Sequence, residues 1–116
     1  MSSRTVDLTP HCECITASEL ETRLHAGDRP ELLDVREPWE HRIAQLPGAR
    51  LVPMHTVPQA APSMDKGRAI VVACHHGMRS HAVAEWLKGQ GFRRVWNLAG
   101  GIDRWSTEVD TSVPRY

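Results

Sequence analysis

A parallel α/β sheet covered by helices on both faces is the fold that this sequence predicts, and three observations carry the prediction. Apolar, β-branched runs alternate with helix-like segments along 116 residues. The central run Ala69-Ile70-Val71-Val72-Ala73 is apolar at every position, as a strand buried on both faces requires. The connections between elements are short and rich in Gly and Pro. A chain of this length holds one hydrophobic core.

Residues 1–13 are polar, with Pro10, and read as a loosely held arm; the domain proper runs over 14–109, and 110–116 form a tail. Thr16-Ala17-Ser18-Glu19 fits a capping box, with Ile15 and Leu20 placed as a hydrophobic staple. The helix it starts should stop at Gly27. Glu31-Leu32-Leu33-Asp34-Val35 reads as a buried strand. Pro38 then opens a short helix from Trp39 to Ala44. Pro47-Gly48 is a turn, and Ala49 to Val52 a second strand. From Pro53 to Gly67 three prolines and the lack of a period predict loop with at most a short helical piece. Asp65-Lys66-Gly67 turns into the central strand.

After that strand, Ala82, Val83, Trp86 and Leu87 recur at helical spacing until Gly89 and Gly91. Arg94 to Leu98 is a short strand, and Gly100-Gly101 breaks it before a last helix that turns Ile102, Trp105 and Val109 onto one face. The four tryptophans, Trp39, Trp86, Trp96 and Trp105, are most simply core.

Between the central strand and its helix lies Cys74-His75-His76-Gly77-Met78-Arg79-Ser80. A thiol at the carboxyl end of a strand faces a helix amino terminus, where unpartnered N–H groups favour a thiolate and accommodate an anion. Cys74 is the catalytic candidate. In open parallel sheets ligands bind beyond the carboxyl ends of the strands, which is where this loop falls.

Composition narrows the partners. Fourteen basic residues balance fourteen acidic ones, so nothing suggests the broad basic surface that nucleic acid or an anionic membrane demands. No apolar run reaches bilayer length. Three cysteines without a disulfide-framework spacing, and a start lacking a secretory apolar core, lead us to expect a reducing cytoplasm. His11-Cys12-Glu13-Cys14 offers three ligands and no partner pair at the usual spacing, so no metal is expected there.

Taken in order, Asp34-Val35-Arg36-Glu37 with Trp39-Glu40, Leu46-Pro47-Gly48-Ala49, the Cys74 loop, and Leu98-Ala99-Gly100-Gly101-Ile102 with Trp105 resemble the small single-domain rhodanese-like sulfurtransferases, over about Ile15 to Trp105. Gln45-Leu46-Pro47-Gly48 departs from the Gly-His-Ile-Pro-Gly common in that family. The resemblance implies a rhodanese-like sheet of about five strands. It also implies a reaction in which Cys74 takes the outer sulfur of a small anionic donor such as thiosulfate, holds it as a persulfide, and passes it to cyanide, a thiol or a protein. Neither metal nor organic cofactor is needed.

On that reading His75, His76, Gly77, Met78, Arg79 and Ser80 form the substrate cradle, with N–H groups converging on the sulfur. Arg79 is the candidate for the donor's oxyanion. Gly77 lets the backbone aim its N–H inward. Ser80 either caps the helix, the simpler role, or donates to the loop. His75 and His76 raise the local potential, touch the donor or fill the rim. Asp34 and Arg36 support the site from behind, although an ion pair of Arg36 with Glu37 or Glu40 would explain that arginine equally well. The rival readings are a cysteine phosphatase, a non-catalytic binding module and a dedicated sulfur carrier. Four residues separate Cys74 from Arg79, one fewer than in the phosphatase pattern, and position 80 is serine. Binding modules of this fold typically lose the cysteine. Nothing in the sequence separates a carrier from a general enzyme.

Overall fold

The computed structural model describes residues 13–116. Residues 1–12, most of the segment read as an arm, and with them His11 and Cys12, lie outside the described residues. Five parallel strands form one sheet in the order β1-β5-β4-β2-β3. They are β1 (Glu13–Ile15), β2 (Glu31–Asp34), β3 (Arg50–Leu51), β4 (Ile70–Ala73) and β5 (Val95–Leu98). The helices are α1 (Ala17–His25), α2 (Pro38–Ile43), α3 (Val57–Ala60), α4 (Met78–Gly89) and α5 (Gly101–Glu108).

The local signals act as the sequence indicates. Thr16 Oγ1 accepts from the Glu19 N–H at 3.0 Å, and the Glu19 carboxylate accepts from the Thr16 N–H at 2.8 Å. These two bonds satisfy donors that α1 cannot satisfy itself. Ile15 and Leu20 are both buried beside that start. Pro38 begins α2, where its missing N–H costs nothing.

Two regions differ from the sequence reading. Residues 54–63 are not loop but three short helical turns in succession, 54–56, 57–60 and 61–63. Pro58 and Pro62 stand at the start of the second and third; each proline fixes the φ a first turn needs instead of breaking it. The second difference is β1, an edge strand of three residues in register with β5. Two of its side chains are exposed, so it carries no apolar run to read.

Strand β4 is buried at all four positions between β2 and β5. One face packs Val83, Ala84 and Leu87 of α4, with Val57 and Ala61, against Leu33, Val72 and Val95. The other packs Leu20 of α1 and Ile102 and Trp105 of α5 against Ile15, Val71 and Leu98. Trp105 is core, Trp96 is half-buried, and Trp39 and Trp86 are exposed, contrary to the expectation that all four are core. Among the described residues no helix is long and apolar enough to cross a membrane.

Candidate active site

The Cys74 loop is held between two helix amino termini. At one, the carbonyls of Cys74 and His75 accept from the N–H groups of Ile102 (2.9 Å) and Asp103 (3.1 Å) at the start of α5. At the other, Gly77 precedes α4 with φ +104°, a conformation costly for side-chain-bearing residues, and aims its N–H at Cys74 Sγ from 3.1 Å. The next N–H groups, of Met78, Arg79 and Ser80, open α4 and have no acceptor within the helix. The sulfur thus sits where negative charge is favoured.

Ser80 is the third residue of α4 and not its cap, because the helix starts at Met78 with Gly77 as its cap. Its hydroxyl is buried 3.3 Å from Cys74 Sγ and 2.5 Å from Asn97 Oδ1. Asn97 Nδ2 in turn donates to the Gly77 carbonyl at 3.1 Å. Asn97 therefore fixes both groups that touch the sulfur, and sequence reasoning missed it. Its signal was a polar residue in an otherwise apolar strand, Val95-Trp96-Asn97-Leu98.

Arg79 is engaged from the far side of the loop. Its guanidinium grips Glu40 of α2 through two parallel bonds, Nη1 to Oε2 at 2.7 Å and Nη2 to Oε1 at 2.8 Å. Glu40 also accepts from the Glu37 N–H (3.0 Å) and the Tyr116 hydroxyl (2.8 Å). The Arg79 bonds outweigh burial and hold the Glu40 carboxyl down at about 2, while Glu40 pushes Arg79 up. The shift is downward from 4.5, so the stability it carries is present above that pH and drains away as pH falls toward 2. Because Arg79 is partly exposed, solvent screening brings the contribution to about 2 kcal/mol. Chemical denaturation at several pH values should show this: Glu40→Gln flattens the acid limb by about that amount, and a limb as steep as the parent's would place the shift elsewhere.

Arg36 is fully buried, and its carboxylate partner is Asp34 and not Glu37 or Glu40. Nε and Nη2 bond the two Asp34 oxygens at 2.9 and 2.8 Å. The remaining guanidinium protons reach the Ala44 carbonyl at 2.5 Å, the Tyr116 hydroxyl at 2.7 Å and, more loosely, the Glu40 carbonyl at 3.3 Å. Burial opposes the Asp34 charge, but bonds from Arg36 and His41 outweigh it and keep the carboxyl below its usual value. A buried ion pair of this kind persists because its lone pairs and protons are satisfied.

His75 stacks between His76 (centroids 3.8 Å) and the Tyr116 ring (3.9 Å, 7° between planes). Burial, then the neighbouring His76, lowers its pKa, which keeps the imidazole neutral at pH 7. Its Nε2 is buried without a partner. His76 is exposed, with Nε2 4.0 Å from Asp103 Oδ2. His75, His76 and Asp103 lie close enough to suggest a metal triad. Arg115 already holds both Asp103 oxygens, at 2.9 and 3.3 Å, so the set is closed by a guanidinium and does not present three free ligands. Met78 projects into solvent, 82% exposed, and can serve a ligand only through its N–H or as an apolar rim. Cys14 is exposed in β1.

The chain is similar to known proteins over most of its length. Residues 16–108 match the family model described as a rhodanese-like domain. The chain is 41% identical over 93 residues to Rhodanese-like/PpiC domain-containing protein 12, chloroplastic, of Arabidopsis thaliana, aligning over 77% of its own length and spanning 31% of that longer protein. It is 36% identical over 92 residues to a protein named sulfurtransferase from Allochromatium vinosum, covering 79% of this chain and 86% of that one. The crystal structure of a rhodanese-like domain protein from Staphylococcus aureus superposes with a TM-score of 0.78 at 30% identity, over 90% of this chain and 98% of the other. With the family model spanning most of its length and the overall fold matching that structure, this chain belongs to the rhodanese-like family.

Proposed function

We propose that this protein transfers a sulfane sulfur from a small anionic donor such as thiosulfate to a thiophilic acceptor, cyanide, a thiol or a protein, through a persulfide on Cys74. The observation that carries the reading is the contact of Sγ with the Gly77 N–H and the Ser80 hydroxyl at the amino terminus of α4. The Cys74 thiolate attacks the outer sulfur of thiosulfate. A new S–S bond forms, the donor's S–S bond breaks, and its electron pair leaves with sulfite. The acceptor's lone pair then attacks the outer sulfur of the persulfide, and the cysteine's electron pair returns to Sγ as thiolate. The two steps balance without an external oxidant, reductant, metal or organic cofactor.

Within this mechanism Gly77 N–H and Ser80 stabilise the negative sulfur in both states. The N–H groups of His75, His76, Met78 and Arg79 belong to the same cradle. The Arg79 guanidinium meets the donor's oxyanion only by sharing its protons with Glu40. Asp34 and Arg36 hold the floor of the loop through Tyr116 and Glu40. The name of the Allochromatium relative supports the same chemistry. Against the phosphatase reading stands the pairing of Arg79 with Glu40, together with a serine hydroxyl where that pattern needs an arginine. The apolar Trp39 and Met78 side chains, 53% and 82% exposed, favour a protein acceptor as the second reading.

Intact-mass spectrometry after incubation with thiosulfate tests the proposal. One added sulfur atom is expected, removable by dithiothreitol and mapped to the Cys74 peptide. No adduct from thiosulfate or any other sulfane donor would overturn it, as would faster turnover of an aryl phosphate than of thiosulfate.

A further inference from the structure

We propose that Tyr116 is a positioning residue of the Cys74 site, holding the loop from both ends by stacking on His75 and by hydrogen bonding the carboxylate that grips Arg79. The inference deepens the sulfur-transfer reading and rests on it for its kinetic arm.

The segment that brings Tyr116 there was read from the sequence as a tail, yet it is anchored along its length. Ser112 N–H and Oγ bond Asp110 Oδ1 at 3.0 and 2.5 Å, and Val113 N–H donates to the Asp110 carbonyl at 3.1 Å. Val113 is buried in the core face of α5, and the Ser106 hydroxyl donates to its carbonyl at 2.5 Å. Arg115 pairs with Asp103, the residue whose N–H holds the His75 carbonyl. Tyr116 then meets the site with every part of its side chain. Its ring lies parallel to His75 and edge-on to Trp39, with centroids 6.1 Å apart at 76°. Its oxygen accepts from Arg36 Nη1 at 2.7 Å, and its proton goes to Glu40 Oε1 at 2.8 Å. Burial pushes the phenol up to about 12, so that proton is present at any working pH.

Removing the hydroxyl leaves Glu40 Oε1 with Arg79 Nη2 as its partner and leaves Arg36 Nη1 with the Glu40 carbonyl at 3.3 Å. Removing the ring also uncovers His75, whose neighbour in the chain is the nucleophile. Cys74 is only 1% exposed, so access to Sγ depends on how tightly this loop is held.

Tyr116→Ala and Tyr116→Phe separate the two contacts. Two readouts are taken under native conditions: the rate at which iodoacetamide alkylates Cys74, followed by peptide mass mapping, and the split of kcat and KM for thiosulfate. Leu24→Ala, on α1 away from the loop, controls for loss of stability alone. For Tyr116→Ala, alkylation should quicken by about fivefold and kcat/KM fall by about tenfold. For Tyr116→Phe, alkylation should stay at the parent rate while KM rises by about threefold with kcat unchanged. The Leu24→Ala protein should match the parent in both. A folded Tyr116→Ala protein with both readouts within about twofold of the parent overturns the inference. If Tyr116→Ala does not fold, an unchanged KM in Tyr116→Phe overturns it. A parent that accepts sulfur from no donor defeats the sulfur-transfer reading instead, and the alkylation rates still decide the role of Tyr116.

Discussion

Cys74→Ala is expected to lose the sulfur adduct entirely and to lower sulfur transfer to background, a fall of at least about a thousandfold in kcat/KM. No other group in the loop can replace the thiol. The Ser80 hydroxyl is 3.3 Å from Sγ, but its one proton is directed to Asn97 or to the sulfur, and neither histidine of the loop is among its hydrogen-bond partners to take that proton. His75 is neutral, but its Nε2 is buried with no group in contact to act on. The domain should remain folded. Removing one sulfur atom from the cluster formed with Leu33, Val72 and Val83 costs about 1 kcal/mol, a small part of the stability of a domain this size. Thermal melting, intact mass after thiosulfate and transfer to cyanide separate the two effects. An adduct that survives in Cys74→Ala, mapped to Cys14 or elsewhere, would mean that sulfur loading reports an exposed thiol and not this loop.

Cys74 stands out in the sequence as a candidate nucleophile because everything that points to it is local: an apolar strand, a glycine-bearing loop and a helix, all within 69–89. The pairings among the loop's candidate residues, and the parts of Asn97 and Tyr116, were not legible, because those partners arrive from distant parts of the chain. Arg79 meets Glu40 across 39 positions, and Arg36 meets Tyr116 across 80. Periodicity reports which face of an element is buried; it does not report which polar side chains the sheet order will bring together. Strand order β1-β5-β4-β2-β3 sets β5 and β2 on either side of β4, so Asn97 and the Asp34–Arg36 pair flank the Cys74 loop. Arg36 shows the limit most plainly. Charge alone argues for a rim residue or a surface pair, yet it is fully buried because its partner lies two positions back on the same strand end. The helical turns of 54–63 were missed for a different reason: proline disfavours a helix interior but suits a helix start, and three short turns contain mostly starts.

Gly101→Ala should damage both fold and activity, and the cause lies in the loop and not in α5. The sequence shows Gly100-Gly101 as a break between strand and helix. The structure gives Gly101 a further duty: a Cβ there would stand 2.4 Å from the carbonyl oxygens of both Cys74 and His75. Those are backbone atoms, and they are the acceptors for Ile102 and Asp103 N–H, so no side chain can yield and the loop itself must retreat. The residue also sits at φ +63°, which adds about 1 kcal/mol for any side chain. Together the cost should reach about 3 kcal/mol and lower Tm by roughly 10 °C. Retreat of the Cys74 carbonyl moves Sγ against the Gly77 N–H, so kcat/KM should fall by about a hundredfold. Gly48→Ala separates the two causes. Gly48 has φ +78° with nothing within 4 Å of a built Cβ, so it carries the backbone cost without the clash. Its Tm should drop by about a third as much, with sulfur transfer unchanged. Equal losses in the two variants would show that the approach of α5 to the loop is not what holds Cys74 in place.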